Sequence, residues 1–565
     1  MTAGESISPN SFSTLQPFNP MSHPWWQTDV VYQIYPRSFR DATGDGVGDL
    51  AGITEKLPYL ADLGVGAVWL SPFYPSPQAD FGYDVSDYRG VDPQYGTLAD
   101  FDRMAARAHD LGLKLIVDVV PNHSSDQHPW FAESRANRDN PKREWYVWRD
   151  PKPDGSPPNN WLSHFGGPAW TLDDATGQCY LHSFLREQPD LNWRHAPVEA
   201  EMLDTLRFWM ARGVDGFRID VARAILKDPE LRDNPPAEKV TFHKPTGDYD
   251  SQAHVHDQDH PDVYGAHARI RAAVDGFGDG ERVTIGEIHE YDFPKWATYY
   301  GRPDGRGGLD GLHMPFNFGL LATPWTASGL RAHVDAIEAA LPDGAWPNYV
   351  LGNHDEARLA TRLGAESARL AGMLLLTLRG APTLYYGDEL GMTEVDVPLD
   401  RRRDPWAERS GHPELSRDGC RTPMPWDASP GAGFADSGRP DAYWLPLNPD
   451  HATVNVETQD ADADSTLAFY RRALRLRGAS AALQTGTYTP LDGLPESVFG
   501  FERTEGDSRA LVLLHVGAGE ATVDIPEAFR DAPVALATHD RAQEGEPAGA
   551  RVTLGPWAGT VVIPA

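Results

Sequence analysis

Apolar and polar positions follow two different periods along this chain. Eight short runs rich in β-branched and aromatic residues recur: VVYQIYP (30–36), GAVWLSP (66–72), LKLIVDVVP (113–121), GVDGFRIDVA (213–222), VTIGEI (283–288), LHMPFNF (312–318), NYVLGNH (348–354) and PTLYYGD (382–388). Continuous apolar runs of this length suit strands buried on both faces. Amphipathic segments lie between them. Ile53, Leu57, Leu60 and Leu63 share one helical face, as do Phe101, Met104, Ala108 and Leu111, and Met202, Leu206, Trp209 and Met210. Eight strands alternating with helices predict an α/β fold, a (β/α)8 TIM barrel.

Two stretches break the alternation. About 90 residues separate the third and fourth runs, more than one helix needs. This interval holds a Pro/Gly/Trp-rich segment and the strand-like QCYLHSF, and it predicts a small inserted domain over 123–190. Residues 391–445 predict a long loop over the barrel mouth. After a helix at 466–477, the short strand-like segments SVFGFER, ALVLLHV, ATVDIP, VALATHD and TVVI predict a C-terminal antiparallel β-sandwich domain over 479–565. The barrel itself then occupies 23–122 and 191–478, and residues 1–22 predict a disordered tail in which Met21 offers a second start.

The net charge of −32 repels nucleic acid and anionic membrane surfaces but does not penalise a neutral ligand. No apolar stretch is long enough to span a bilayer. Residues 1–20 show neither the basic nor the apolar region of a signal peptide, and two cysteines in 565 residues predict free thiols in a reducing compartment, the cytoplasm.

Acidic residues collect where the strands end. Asp220 closes the fourth run, Glu287 the fifth, Asp355 follows the seventh, and Asp118 lies in the third. In such a barrel the active site forms at the C-terminal ends of the strands, and buried carboxylates are costly unless they are paired or used. Two carboxyls suffice to cleave a glycosidic bond. Arg218 lies two residues before Asp220 and points the same way, so it is expected to hold Asp220 ionised as a nucleophile, or to pair with it structurally. Glu287, with only His289 basic nearby, is expected to keep its proton.

DVVPNH (118–123), GFRIDVAR (216–223), TIGEIHE (284–290) and LGNHDEAR (351–358) resemble, in order, the four signature regions of the α-amylase family of glycoside hydrolases, family 13. QPDLNW (188–193), GYDVSDY (82–88), GAPTLYYGDELGM (380–392) and RTPMPWD (421–427) resemble its α-glucosidase and oligo-1,6-glucosidase branch. The resemblance implies a retaining α-glucosidase acting on short α-glucosides, with Asp220 as nucleophile, Glu287 as acid/base and Asp355 as transition-state stabiliser. It also implies that His123 and His354 bind sugar hydroxyls, that Asp84 clamps the far end of the glucose, that Tyr83 stacks on its face, and that Arg218 and Arg421 line the pocket. In the resembling family the loop DATGDGVGD (41–49) binds Ca²⁺, which implies Asp41, Thr43, Asp45, Asp49 and the Val47 carbonyl as ligands, with Thr43 where Asn or Ser is usual. His243, His254, His256 and His260 raise a zinc reading, but their loop better suits the substrate entrance.

Three alternatives stand beside hydrolysis of maltose-type substrates. Val221, after the nucleophile, is typical of α-1,6 enzymes, although the Ala-Arg that follows it and the IHE after Glu287 depart from that pattern. Transferases and isomerases such as trehalose synthases, sucrose isomerases and amylosucrases share the three acids. Non-catalytic homologues, like the heavy chains of amino-acid transporters, lack the acids and carry a membrane span. Oligomeric state is not legible.

Overall fold

The computed structural model describes residues 23–238, 244, 246–305, 307–436 and 439–564. The expected N-terminal tail and His243 lie outside them. Seven parallel strands form one curved sheet in the spatial order Thr383–Tyr385, Val31–Ile34, Ala67–Leu70, Lys114–Val119, Gly216–Ile219, Val283–Gly286, Met314–Pro315. The seventh expected strand, NYVLGNH, is reduced to two parallel bridges, Asn317 with Tyr349 and Val350 with Thr383. These bridges close the ring between the sixth and eighth positions. Prolines explain the thinness of this side: Pro315 and Pro347 have no N–H to give a ladder.

Alternation within each strand sorts the core into two shells. Val31, Ala67, Trp69, Ile116, Val283, Ile285 and Met314 pack together inside the ring. Tyr32, Ile34, Val68, Leu70, Leu115, Val117, Phe217 and Ile219 pack outward against the helices, including Ile53, Leu57 and Leu60 of helix Leu50–Leu63 and Leu206 and Trp209 of helix Ala196–Met210. Gly216 faces inward, and a Cβ there would lie 2.4 Å from Val283 Cγ1, so the interior is filled to the point of excluding a methyl group. Going up the strands the inward positions change from apolar to polar: Val31 gives way to Gln33, Ile116 to Asp118, Gly216 to Arg218 and then Asp220, and Ile285 to Glu287.

The interval after the third strand contains a three-stranded antiparallel sheet of Trp148–Arg149, Gln178–Leu181 and Trp170–Asp173. The C-terminal region has a five-stranded antiparallel sheet (Thr487–Pro490, Val498–Glu505, Ser508–His515, Gly559–Val562, Val534–Ala537) beside a two-stranded one (Ala521–Asp524 with Arg551–Leu554). Cys179 and Cys420 are buried free thiols. No helix among the described residues is long and apolar enough to cross a membrane.

Two buried guanidinium groups tie the C-terminal domain to the barrel. Arg477 donates to the carbonyls of Leu376, Gly380 and Leu483 at 3.0, 2.6 and 2.8 Å. Arg503 donates to Thr377 at 2.5 Å and to Gly486 at 2.8 Å. Burial holds both arginines below the usual guanidinium range. Arg503→Leu strands several buried carbonyls at about 1–3 kcal/mol each. Calorimetry is therefore expected to show a lowered Tm with unchanged far-UV circular dichroism at room temperature; an unchanged Tm would disprove the role.

Candidate active site

The polar upper layer of the barrel centres on Arg218, which is 1% exposed. Its Nη1 lies 2.8 Å from Asp118 Oδ1 and 2.7 Å from Asp220 Oδ1, and its Nη2 lies 2.8 Å from Glu287 Oε2. One cation thus serves three carboxylates. The expectation that Arg218 belongs to Asp220, leaving Glu287 free to keep a proton, is corrected here: the fork of the guanidinium reaches both. Burial, together with the charges of Glu287 and Asp118, pushes Asp220 well above the ordinary carboxyl range despite Arg218. Burial would also raise Glu287, but Arg218 and His289 outweigh it and hold that carboxyl low. Burial pushes Asp118 up to about 6. Asp220 and Glu287, held on one guanidinium, titrate together as a pair.

Asp355 forms the opposite wall. Arg421 Nη2 contacts its Oδ1 at 2.8 Å and Arg417 Nη1 at 3.1 Å. Against the penalty of burial, His354 and these two arginines hold Asp355 well below the carboxylate range. Behind it runs a chain of fixed hydrogen bonds. Gln33 Nε2 donates to His354 Nδ1 at 2.8 Å, His354 Nε2 meets the Tyr83 hydroxyl at 2.7 Å, and that hydroxyl donates to Asp118 Oδ2 at 3.1 Å. Burial lowers His354 to about 3 and His123 to about 4, so both rings are neutral at pH 7.

The pocket above these groups measures about 1380 Å³ including its open mouth. Asp220, Glu287, Asp355, Tyr83 and His123 line it. Four expected pocket residues do not line it: Arg218 lies behind the carboxylates it pairs with, and three expected sugar contacts also stand elsewhere. His354 and Arg421 lie behind Asp355 and position it. Asp84 is fully buried, and its carboxylate accepts from Ala79 N at 2.8 Å, Asp80 N at 2.9 Å and Ser76 Oγ at 2.8 Å. It shapes the loop, and the neighbouring Asp80 reaches the pocket instead. Asp80 is gripped by Arg417 Nη2 at 2.9 Å and by Gln188 Nε2 at 3.2 Å, and Gln188 also holds His123 at 3.1 Å. Asp80 and Arg417 were within reach of the sequence, inside ADFGYD and four residues before Arg421. Loop residues lack the period that tells which side chain points inward. The mouth adds His164, Lys244, His289 and Trp406.

The 41–49 loop lies after the first strand. Asp41 accepts from Gly44 N and Gly46 N at 2.6 and 2.8 Å, and Asp49 caps helix Leu50–Leu63 through Gly52 N at 2.7 Å. Thr43 and Asp45 are exposed at the rim. The donors fit a hard cation in kind, although among the described residues no three His, Cys, Asp or Glu side chains are grouped to hold a metal ion. The described loop histidines have separate partners: His254 pairs with Asp257, His256 with Asp228 and His260 with Asp262.

The profile "Alpha amylase, catalytic domain" matches residues 33–486. The chain belongs to the α-amylase family of glycoside hydrolases. Within that family it is 41% identical to a probable alpha-glucosidase of Rhizobium meliloti, over 93% of this chain and 94% of that one. It is 36% identical to the oligo-1,6-glucosidase of Parageobacillus thermoglucosidasius, over 90% and 93% of the two chains. Among solved structures it superposes on an alpha-glucosyl transfer enzyme with TM-score 0.87 and 40% identity, covering 96% of this chain and 100% of that one. It also superposes on the trehalulose synthase of Pseudomonas mesoacidophila MX-45 with TM-score 0.84 and 36% identity, covering 96% and 100%. These relatives put the glycoside hydrolase in the α-glucosidase and oligo-1,6-glucosidase branch.

The geometry separates Asp80 from Asp84. Asp80→Ala is expected to lower kcat/KM on a family substrate about 100-fold or more, while Asp84→Asn, which keeps an acceptor for the loop, costs less than about 5-fold. Equal losses in steady-state rates would return the clamp to Asp84.

Proposed function

We propose that this enzyme is a retaining α-glucosidase that releases α-glucose from the non-reducing end of short, maltose-type α-glucosides. The observation that carries the reading is Asp220 and Glu287 held on the two nitrogens of one guanidinium, in a pocket whose wall holds the Asp80–Arg417 pair. Inverting enzymes keep their carboxyls about 6.5–9.5 Å apart to admit a water, whereas retaining ones bring them to about 5–5.5 Å. Two carboxyls bound to neighbouring nitrogens of one guanidinium support the second arrangement. Asp220 attacks the anomeric carbon as the Glu287 proton moves to the leaving oxygen, and a covalent glucosyl–Asp220 ester forms. Water then attacks the same carbon, giving its proton to Glu287 and releasing Asp220. Asp355, locked by two arginines, faces the charge that develops on the sugar ring. The Asp80–Arg417 pair offers an acceptor and donors to hydroxyls at the far end of the glucose.

A second reading keeps the same first step and replaces water with a sugar hydroxyl. It is favoured by the likeness to the alpha-glucosyl transfer enzyme and the trehalulose synthase. The α-1,6 reading rests on Val221 and on the oligo-1,6-glucosidase relatives. Initial rates of glucose release from maltose and isomaltose decide among them. Faster release from maltose is expected; faster release from isomaltose reverses the linkage, and disappearance of maltose without free glucose makes the enzyme a transferase or isomerase. Asp220→Asn should lower turnover more than about a thousandfold, because the nucleophile has no substitute. Residual activity above that level, measured with the same substrate, would remove Asp220 from the role.

Two further elements belong to this proposal. The buried free thiols support a reducing compartment, the cytoplasm. The 41–49 loop is proposed as a structural Ca²⁺ site, supported by its donor chemistry: three carboxylates, the Thr43 hydroxyl and the Val47 carbonyl. Adding Ca²⁺ to chelator-treated enzyme should raise Tm. An identical Tm with and without Ca²⁺ rejects the site.

A further inference from the structure

The two oxygens of Glu287 are not equivalent. Oε2 forms an ion pair with Arg218 Nη2 at 2.8 Å and accepts from the backbone N–H of Val221 at 2.9 Å. A guanidinium and an N–H donor facing Oε2 both disfavour a proton there. Oε1 faces Nε2 of His289 at 3.2 Å. His289 follows Glu287 by two residues at the end of the fifth barrel strand and lines the same pocket.

Both sides of this arrangement are held in place. Val221 sits at φ 44°, a left-handed conformation that a β-branched residue adopts only under constraint. That conformation aims its N–H at Oε2. The His289 ring stacks on Phe318, with centroids 4.1 Å apart and planes 5° from parallel. Its carbonyl accepts from Arg223, which is anchored by Asp259 and by Glu290 at 3.1 Å.

Resting on the α-glucosidase reading, we infer that His289 is a positioning residue that orients Oε1 of Glu287 and shares its proton across the contact. Before cleavage one hydrogen lies between Oε1 and Nε2. As the Asp220 oxygen bonds to the anomeric carbon and the glycosidic C–O bond breaks, that proton passes to the leaving oxygen. In the second step the attacking water loses a proton to Oε1, its oxygen bonds to the anomeric carbon, and the Asp220 ester bond breaks. The pair ends with the proton it began with. The charged and titratable groups around it are Arg218, Asp118 and Asp220 from the neighbouring strands, Asp355 and Lys244 across the pocket, Arg223 and Glu290 beside the loop, and His164 from the inserted segment.

The test exploits the leaving group. Maltose expels a sugar alkoxide and needs the proton, whereas 2,4-dinitrophenyl α-glucoside expels a stable phenolate and does not. General acid assistance contributes about 10²–10⁴-fold. His289→Asn should therefore lower kcat/KM on maltose about 50-fold or more, but kcat/KM on the dinitrophenyl glucoside, which reports the step that needs no acid, less than about 3-fold. Added imidazole should restore part of the maltose rate of His289→Gly. Equal losses on both substrates, or no loss on maltose, overturn the inference while leaving the α-glucosidase reading intact. A wild-type enzyme that releases glucose from neither substrate overturns both. The wild-type profiles supply a check that no folding defect can blur: an alkaline limb steeper for maltose than for the dinitrophenyl glucoside is expected, and coincident limbs count against His289.

Discussion

The upper half of this barrel is organised around one buried positive charge. Arg218 faces Asp118, Asp220 and Glu287, so three acids share one base in a region nearly closed to water. Desolvating a carboxylate costs several kcal/mol unless it is paired, and a single guanidinium cannot neutralise three. The arrangement therefore favours keeping a proton among the acids. The double displacement proposed above draws on such a set, with one acid to attack and another to give a proton. The strand register fixes it: Asp118 lies opposite Arg218 on the third and fourth strands, and Arg218 lies opposite Ile285, two residues before Glu287.

The rest of the fold follows from holding that layer in place. Below it the interior is apolar and packed closely enough that Gly216 has no room for a side chain. Such a floor keeps water out and lets the charges above act at low dielectric. Above it, the loops supply what the strands cannot. The long segment before the C-terminal domain brings Trp406, Arg417 and Arg421 over the mouth. Arg421 and Arg417 both bind Asp355, and Arg417 reaches on to Asp80 and Asp404. A single loop arginine thus couples Asp355 to Asp80 on the far wall of the pocket.

What could be read before the structure follows the same division. The eight apolar runs and the helical faces have periods, and each period reports a fixed side-chain direction, so the barrel and its strand-end acids were legible. The seventh strand was legible as a run but not as a ladder, because flanking prolines leave it few N–H donors. Loop directions have no period. Asp84 and Asp80 lie four residues apart in one loop, and only the fold shows that the first turns into backbone amides and the second into the pocket. The same holds for Arg421 and Arg417. His289 was visible as the basic neighbour of Glu287, but its importance lies in which oxygen it faces, a matter of geometry.

This geometry also bears on how linkage preference is read from the residue after Asp220, the proposed nucleophile. Val221 contributes two separate things: a side chain at the pocket wall, and an N–H on Glu287 Oε2. The N–H is placed by a strained backbone conformation that a smaller residue would enter more easily and a different one could leave. A substitution at 221 therefore changes the room for the leaving sugar and the freedom of the acid/base together. The first effect discriminates between linkages, because it depends on the shape of the leaving group. The second acts on every substrate that needs a proton. An argument from the identity of this residue alone adds the two, and only rates on substrates that differ in leaving-group acidity as well as linkage take them apart.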